Sequence, residues 1–191
     1  MSMSNSDLIV SMNSYLLGME LRLFWGAALL YGLGLFLFII QLVTRMQVFG
    51  RAAKSAVFAA LVAQAGVMAL RAFEAGRLPV QTGYETLSVF ALSTAAVYLY
   101  TTRRWKGVYL PGVLVTMVSL GACLYALFTA SPAIEPLSPL VRSRWFEYRQ
   151  LFLFFSYAVF SVSASVEATC LIIDPFVKKT APDVTALWPK T

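Results

Sequence analysis

The chain has 191 residues, of which 59% are hydrophobic and 13% charged, and its mean hydropathy is +0.73. A soluble domain of this size needs far more polar surface, so the composition excludes that class and gives an integral membrane protein. The net charge of +6 is spread over connecting loops rather than gathered into a basic patch, which sets nucleic acid aside as a partner and leaves membrane lipid.

Residues 8–17, "LIVSMNSYLL", are apolar but shorter than the roughly 20 residues a span needs. They either lie in the membrane interface or extend the first helix outward. The first basic residue is Arg22, so the charged start of a signal peptide is missing and none is expected.

Five stretches then follow that are apolar enough to cross a bilayer, at about 23–44, 55–73, 84–102, 108–130 and 151–173. They predict an all-α fold, a polytopic membrane helix bundle with about five transmembrane helices. Residues 1–22 form an outer interfacial segment, 23–173 one membrane domain and 174–191 a cytoplasmic tail. Small residues recur four apart, as Ala28 and Gly32, Ala59 and Ala63, and Ser161 and Ser165. Such pairs let helix backbones approach closely in lipid.

The loops alternate in charge. One set, Arg45, Arg51, Lys54, Arg103, Arg104, Lys106, Lys178, Lys179 and Lys190, is accompanied only by Asp174 and Asp183. The other carries Arg22, Arg71, Arg77, Arg142, Arg144 and Arg149, balanced by Asp7, Glu20, Glu74, Glu85, Glu135 and Glu147. Nine basic residues against six place the first set inside, with the N-terminus outside and the C-terminus cytoplasmic in an inner membrane.

Cys123 and Cys170 both fall within spans, without a CxxC or CxxCH motif, and read as buried structural thiols. The chain contains no histidine, which removes the commonest haem and metal ligand and the commonest general base.

The outer loops hold the unusual residues. "EAGRLPVQTG" at 74–83 carries the turn formers Gly76, Pro79 and Gly83. Thr82-Gly83-Tyr84-Glu85 then fits a capping box, with Thr82 and Glu85 each accepting from the other's backbone N–H, and a carboxylate there suits the positive end of the helix. Capping is therefore the expected main role of Glu85. Glu167 lies deeper, within the fifth span; it either snorkels or makes a structural hydrogen bond, or it binds a basic partner or a proton.

Taken together, two segments resemble the cytochrome c assembly family of the CcsA/ResC type, a group of haem-handling membrane proteins. The family pattern R-W-x-x-S-G-H-x-P followed by N-x-Y-E-S-L is matched by Arg71, Gly76, Pro79, Tyr84, Glu85 and Leu87, with Thr82 at the capping position. The pattern P-L-x-P-x-L-x-S-x-W-L-x-x-H followed by S-Y-A is matched by Pro136, Leu137, Pro139, Ser143, Trp145 and Ser156-Tyr157-Ala158. The resemblance covers about residues 55–173 and looks like the front half of such a protein.

Two departures matter. The family's histidine after the tryptophan is its outward haem ligand, and that position is Arg149 here; the earlier loop histidine is Arg77. Arginine stays protonated and cannot ligate iron, but its fork can hold a carboxylate such as a haem propionate. The family's tryptophan-rich haem platform, W-G-x-x-W-x-W-D, has no counterpart after the fifth span, where only Trp188 occurs. Three explanations stand open: one part of a split protein, a degenerate paralogue that scaffolds or regulates assembly, or a truncated chain.

The resemblance thus implies a membrane component of cytochrome c assembly or haem handling, not catalytic alone. It would depend on a partner chain that supplies the haem platform. Haem would not be histidine-ligated by this chain. Arg77, Arg144 and Arg149 would meet its propionates, with Trp145 and Tyr84 as walls. The alternative is a structural subunit of a larger membrane complex with no haem role. Arg149 has its own plain reading, as a snorkelling interface anchor or a partner of Glu147 or Glu85.

Two expectations follow from these residues. Cysteines placed at positions 48 and 140 should be labelled from opposite faces of the membrane, and labelling from one face would overturn the topology. Glu85→Ala should cost about 0.5–2 kcal/mol, the scale of a lost helix cap, read by thermal unfolding in detergent.

Overall fold

The structure is a computed structural model that describes residues 5–104, 109–129 and 144–180, with side chains for 18–103, 109–128 and 145–172. Five α-helices follow one another: α1 (Asn5–Thr44), α2 (Gln47–Ala75), α3 (Gly83–Arg104), α4 (Leu110–Thr129) and α5 (Arg144–Thr180). The described residues contain no strand. The stretch 8–17 continues the first helix, so α1 has 40 residues and is about 60 Å long at 1.5 Å per residue.

Four of the helices contain segments long and apolar enough to cross a membrane: Gly18–Thr44, Gln47–Ala75, Leu110–Phe128 and Trp145–Ile172. The fifth expected span, α3, has 22 residues, about 33 Å, and so has the length. It is less apolar because it carries hydroxyls. Ser88 Oγ donates to the Tyr84 carbonyl at 2.7 Å, Thr94 Oγ1 to Phe90 at 2.8 Å and Thr101 Oγ1 to Val97 at 2.9 Å. These back-bonds leave the hydroxyls satisfied without water, as an apolar solvent requires. α3 packs against α2, α4 and α5, so a more polar helix occupies the most enclosed place.

α1 and α2 form an antiparallel pair, joined by Arg45 and Met46. Their facing stripes follow a repeat of three and four residues. On α1 the buried positions are Glu20, Phe24, Ala28, Tyr31, Phe38 and Gln41; on α2 they are Ala53, Val57, Ala60, Gln64, Val67 and Arg71. Such a repeat keeps one face of each helix on its partner. Close approach depends on Gly34, where a Cβ would fall 2.9 Å from Val57 Cγ2.

The packing differs from the expected small-residue pairs in one place. Ala59 is exposed, and Ala53, Ala56 and Ala60 form the contact face of α2 instead. Midway along the bundle, Tyr31 Oη donates to Gln64 Oε1 at 2.8 Å, and Gln64 Nε2 donates to the Ser88 carbonyl at 3.0 Å. Cys123 lies beside the same amide at 3.5 Å and is buried as expected. Cys170 is exposed, contrary to expectation, because the 3.6-residue period of α5 turns it off the buried face. Glu167 is also exposed on α5, with no hydrogen bond among the described residues.

α2 ends where Gly76 adopts a left-handed conformation, φ 62°, which releases the chain into the turn ahead of α3. Gly34→Ile should drive α1 from α2 and cost about 1–3 kcal/mol, the scale of overpacking. Gly66→Ala, which meets open space, should be neutral or mildly stabilising. Thermal unfolding in detergent would read both.

Candidate functional site

At the end of the bundle where α2 gives way to α3, ionisable side chains from three helices converge. Glu20 comes from α1, Arg71 from the last turns of α2, Arg77 from the connecting turn and Glu85 from the first turn of α3. Arg71 Nε donates to Glu85 Oε1 at 2.9 Å, and its Nη1 donates to Glu20 Oε1 at 3.0 Å and Oε2 at 3.3 Å. Arg77 Nη1 donates to Glu85 Oε2 at 3.1 Å. The side chains of Arg71 and Glu85 are both 0% exposed.

The capping box is present within this cluster. Thr82 N–H donates to Glu85 Oε2 at 3.1 Å, and Glu85 N–H donates to Thr82 Oγ1 at 3.3 Å. Gln81 N–H adds a further bond to Oε2 at 2.9 Å. The cap alone therefore understates Glu85, which is at once the helix cap and the acceptor shared by two guanidiniums. Two carboxylates and two guanidiniums balance, so no net charge is left in a place where an unpaired ion would cost several kcal/mol, on the order of the penalty for burial.

Tyr84 forms the apolar lid of the cluster. Its ring centre lies 5.0 Å from the Arg71 guanidinium carbon and 4.9 Å from the ring of Phe24. This is cation–π geometry, and it holds the guanidinium in a place closed to water. One polar contact reaches α5: Gln81 Nε2 donates to Glu147 Oε1 at 3.1 Å.

The residues singled out from the sequence separate into two groups. Arg77 and Tyr84 are committed to the buried cluster. Trp145 and Arg149 stand exposed on the first turns of α5, Trp145 at 80%, with no hydrogen bond or ion pair among the described residues. Arg144 begins α5, and its side chain lies outside the described residues, as do Arg142, the loop prolines and the tail.

For a haem the consequences are direct. Arg77 already gives both Nη groups to Glu85. Arg149 and Trp145 are exposed, a cation and an aromatic ring of the kind that an acidic or planar group would meet. No histidine is present in the chain, and no cluster of metal-ligating side chains occurs among the described residues.

In the sequence Glu20 counts only as a loop charge and Arg71 as a loop charge and a motif residue, and neither is paired there with the other or with Glu85. The available signal was periodic, because both fall on the apolar stripes of their helices.

No family model matches the chain. It is similar to proteins named "Cytochrome c biogenesis protein CcsA". The one from Synechococcus elongatus is 28% identical over 112 residues, covering 57% of this chain and 34% of that protein. The one from Microcystis aeruginosa is 30% identical over 115 residues, with the same coverage of each chain. The one from Gloeobacter violaceus is 28% identical over 117 residues, 60% of this chain. The chain is CcsA-like over that stretch, and the match spans about a third of the length of these relatives.

Arg71→Met should leave Glu20 buried without its cation and Glu85 with Arg77 alone, and cost about 3–5 kcal/mol, the scale of a broken buried ion pair. Glu85→Ala should fall in the same range, above the cost of a lost cap. Trp145→Ala, on an exposed surface, should stay within about 0.5 kcal/mol. Thermal unfolding of the purified chain would rank the three.

Proposed function

We propose that this chain is a membrane component of cytochrome c biogenesis that acts with a partner chain. The similarity to CcsA proteins, at 25–30% identity over a little more than half of the chain, carries this reading. In it, the partner supplies the tryptophan-rich haem platform and the iron ligands. This chain supplies a rigid helical wall and the polar edge formed by Arg149 and Trp145, with Arg144 beside them.

Three observations support the division of labour. The chain has no imidazole to offer. Its ion cluster is internally neutral and buried, which suits holding helix ends together rather than turnover. And α5 is the least buried span: 17% of its apolar window is enclosed, against 33–39% in α1, α2 and α4. That leaves an aromatic face with Phe152, Phe155 and Phe160 exposed, able to receive lipid or the helices of a partner.

In the same reading the membrane domain is 23–173, flanked by the outer segment 1–22 and the cytoplasmic tail 174–191. The N-terminus is outside, and the clustered end with Arg149 faces the side on which c-type cytochromes mature. A haem held there would bring the group that is attached to the cytochrome. Arg149 would fix its propionate through the guanidinium fork, and Trp145 would cover its edge.

Removal of the chain from its host should lower the level of mature c-type cytochromes, read by haem staining of membranes. Unchanged cytochromes with a lost membrane assembly would instead favour the scaffold reading. The purified chain with its co-expressed partner should show a Soret band that Arg149→Ala weakens and Arg149→Lys restores only in part. An unchanged band in both variants would reduce Arg149 to an interface anchor.

A further inference from the structure

A cavity of about 430 Å³ lies at the bundle end opposite the ion cluster. It opens between the last turn of α1 and the first turns of α2 and α4. Gln41, Arg45 and Gln47 give it a polar wall, and Phe38, Leu42, Leu110 and Val113 an apolar one. Among the described residues nothing acidic lines it.

Gln41 is the first observation. It is 9% exposed, lines the cavity, and its amide has no hydrogen-bond partner among the described residues. Gln64, on the facing stripe, has both ends of its amide bonded. The amide is thus a donor and acceptor without a protein partner at the cavity wall, available to what enters the cavity.

The start of α2 is the second. Met46 offers no side-chain cap, and the first turn contains no acidic residue. Phe49 N–H turns back to the Met46 carbonyl at 3.2 Å, but no side chain caps the start and no carboxylate offsets the positive end of its dipole beside Gln47, which lines the cavity.

Arg45 is the third. It adds a full positive charge, and it occupies a left-handed conformation, φ 58°, that favours glycine. Gly50 makes the arrangement possible: a Cβ there would fall 2.5 Å from Tyr109 Cε1 and 3.1 Å from Gln41 Cδ. Lys54 Nζ lies 4.6 Å over the Tyr109 ring, so a second cation stands beside the lining.

An amide, a guanidinium and a helix N-terminus together describe an anion with several acceptor oxygens. The apolar wall describes what that anion is attached to. We propose that this cavity binds a phosphate ester, the headgroup of an acidic phospholipid. The phosphate rests on Gln41, Arg45 and the start of α2, and an acyl chain lies along Phe38, Leu42 and Val113. Phosphatidylcholine is disfavoured because its choline ammonium meets the same positive field.

The test uses the full chain purified in non-ionic detergent and loaded with phosphatidylglycerol or phosphatidylcholine, with retention read by native mass spectrometry. Phosphatidylglycerol should be retained in preference. Arg45→Gly should lower its retention about tenfold or more, the scale of one lost charge-assisted contact. That variant suits the left-handed backbone better than arginine does, so it keeps the fold. Gln41→Leu should lower retention as well. Arg51→Gln removes an exposed charge that does not line the cavity and should change nothing. Equal retention of the two lipids, or equal losses in Arg45→Gly and Arg51→Gln, would overturn the proposal in favour of surface charge alone. Displacement of phosphatidylglycerol by millimolar inorganic phosphate, with matching stabilisation of the lipid-free chain by phosphate, would overturn the lipid assignment and give the site to the free anion.

Discussion

Arg71 and Glu85 meet at 2.9 Å with no side-chain surface exposed on either, and Glu20 closes on the same guanidinium at 3.0 Å. None of the three helices could place its own charge there alone, because an isolated ion removed from water costs more than any local contact returns. The charges become tolerable only together. Their joint burial therefore makes the ends of α1, α2 and α3 cooperative, and Arg77 completes the balance from the turn between α2 and α3.

The rest of the architecture follows from that fixed end. With Glu20 opposite Arg71, the antiparallel stripes bring Tyr31 to Gln64 midway and Gln41 to Gly50 at the far end. Polar groups thus recur along one buried seam: ion pairs at the fixed end, an amide network midway, and at the far end Gln41, which lines a cavity. The fixed end also sets the start of α3, whose turn contacts Glu147 on α5 through Gln81. Through that contact the cluster orients the turns that carry Trp145 and Arg149. The buried charges therefore support the proposed haem edge from behind without belonging to it.

The cap at Thr82 and Glu85 was legible because its chemistry lies within four residues, and the helices were legible because length and hydropathy suffice. The contacts of Arg71 were not, since Glu85 lies 14 and Glu20 51 residues from it on other helices, and sequence spacing does not report contacts across helices. The stripe positions held the missing information. Arg71 continues the run Ala53, Val57, Ala60, Gln64 and Val67, so its burial could have been read from periodicity. The reverse error befell Cys170, where membership of a span was taken for burial although in lipid one face of a helix can stay outward, and Ala59, singled out by its spacing from Ala63, is exposed for the same reason. Four of the five spans stand out by hydropathy, and α3 is muted because its hydroxyls, satisfied by its own backbone, count as polar in a sum over residues.

A double-mutant cycle on Glu20→Gln and Arg71→Met, read as unfolding free energy in detergent, tests the coupling of α1 to α2 most directly. The account predicts a coupling between about 0.5 and 3 kcal/mol, the range for residues sharing one ion network, with Glu20→Gln far less costly once Arg71 is gone. Additivity of the two substitutions to within about 0.3–0.5 kcal/mol, the behaviour of independent sites, would contradict it.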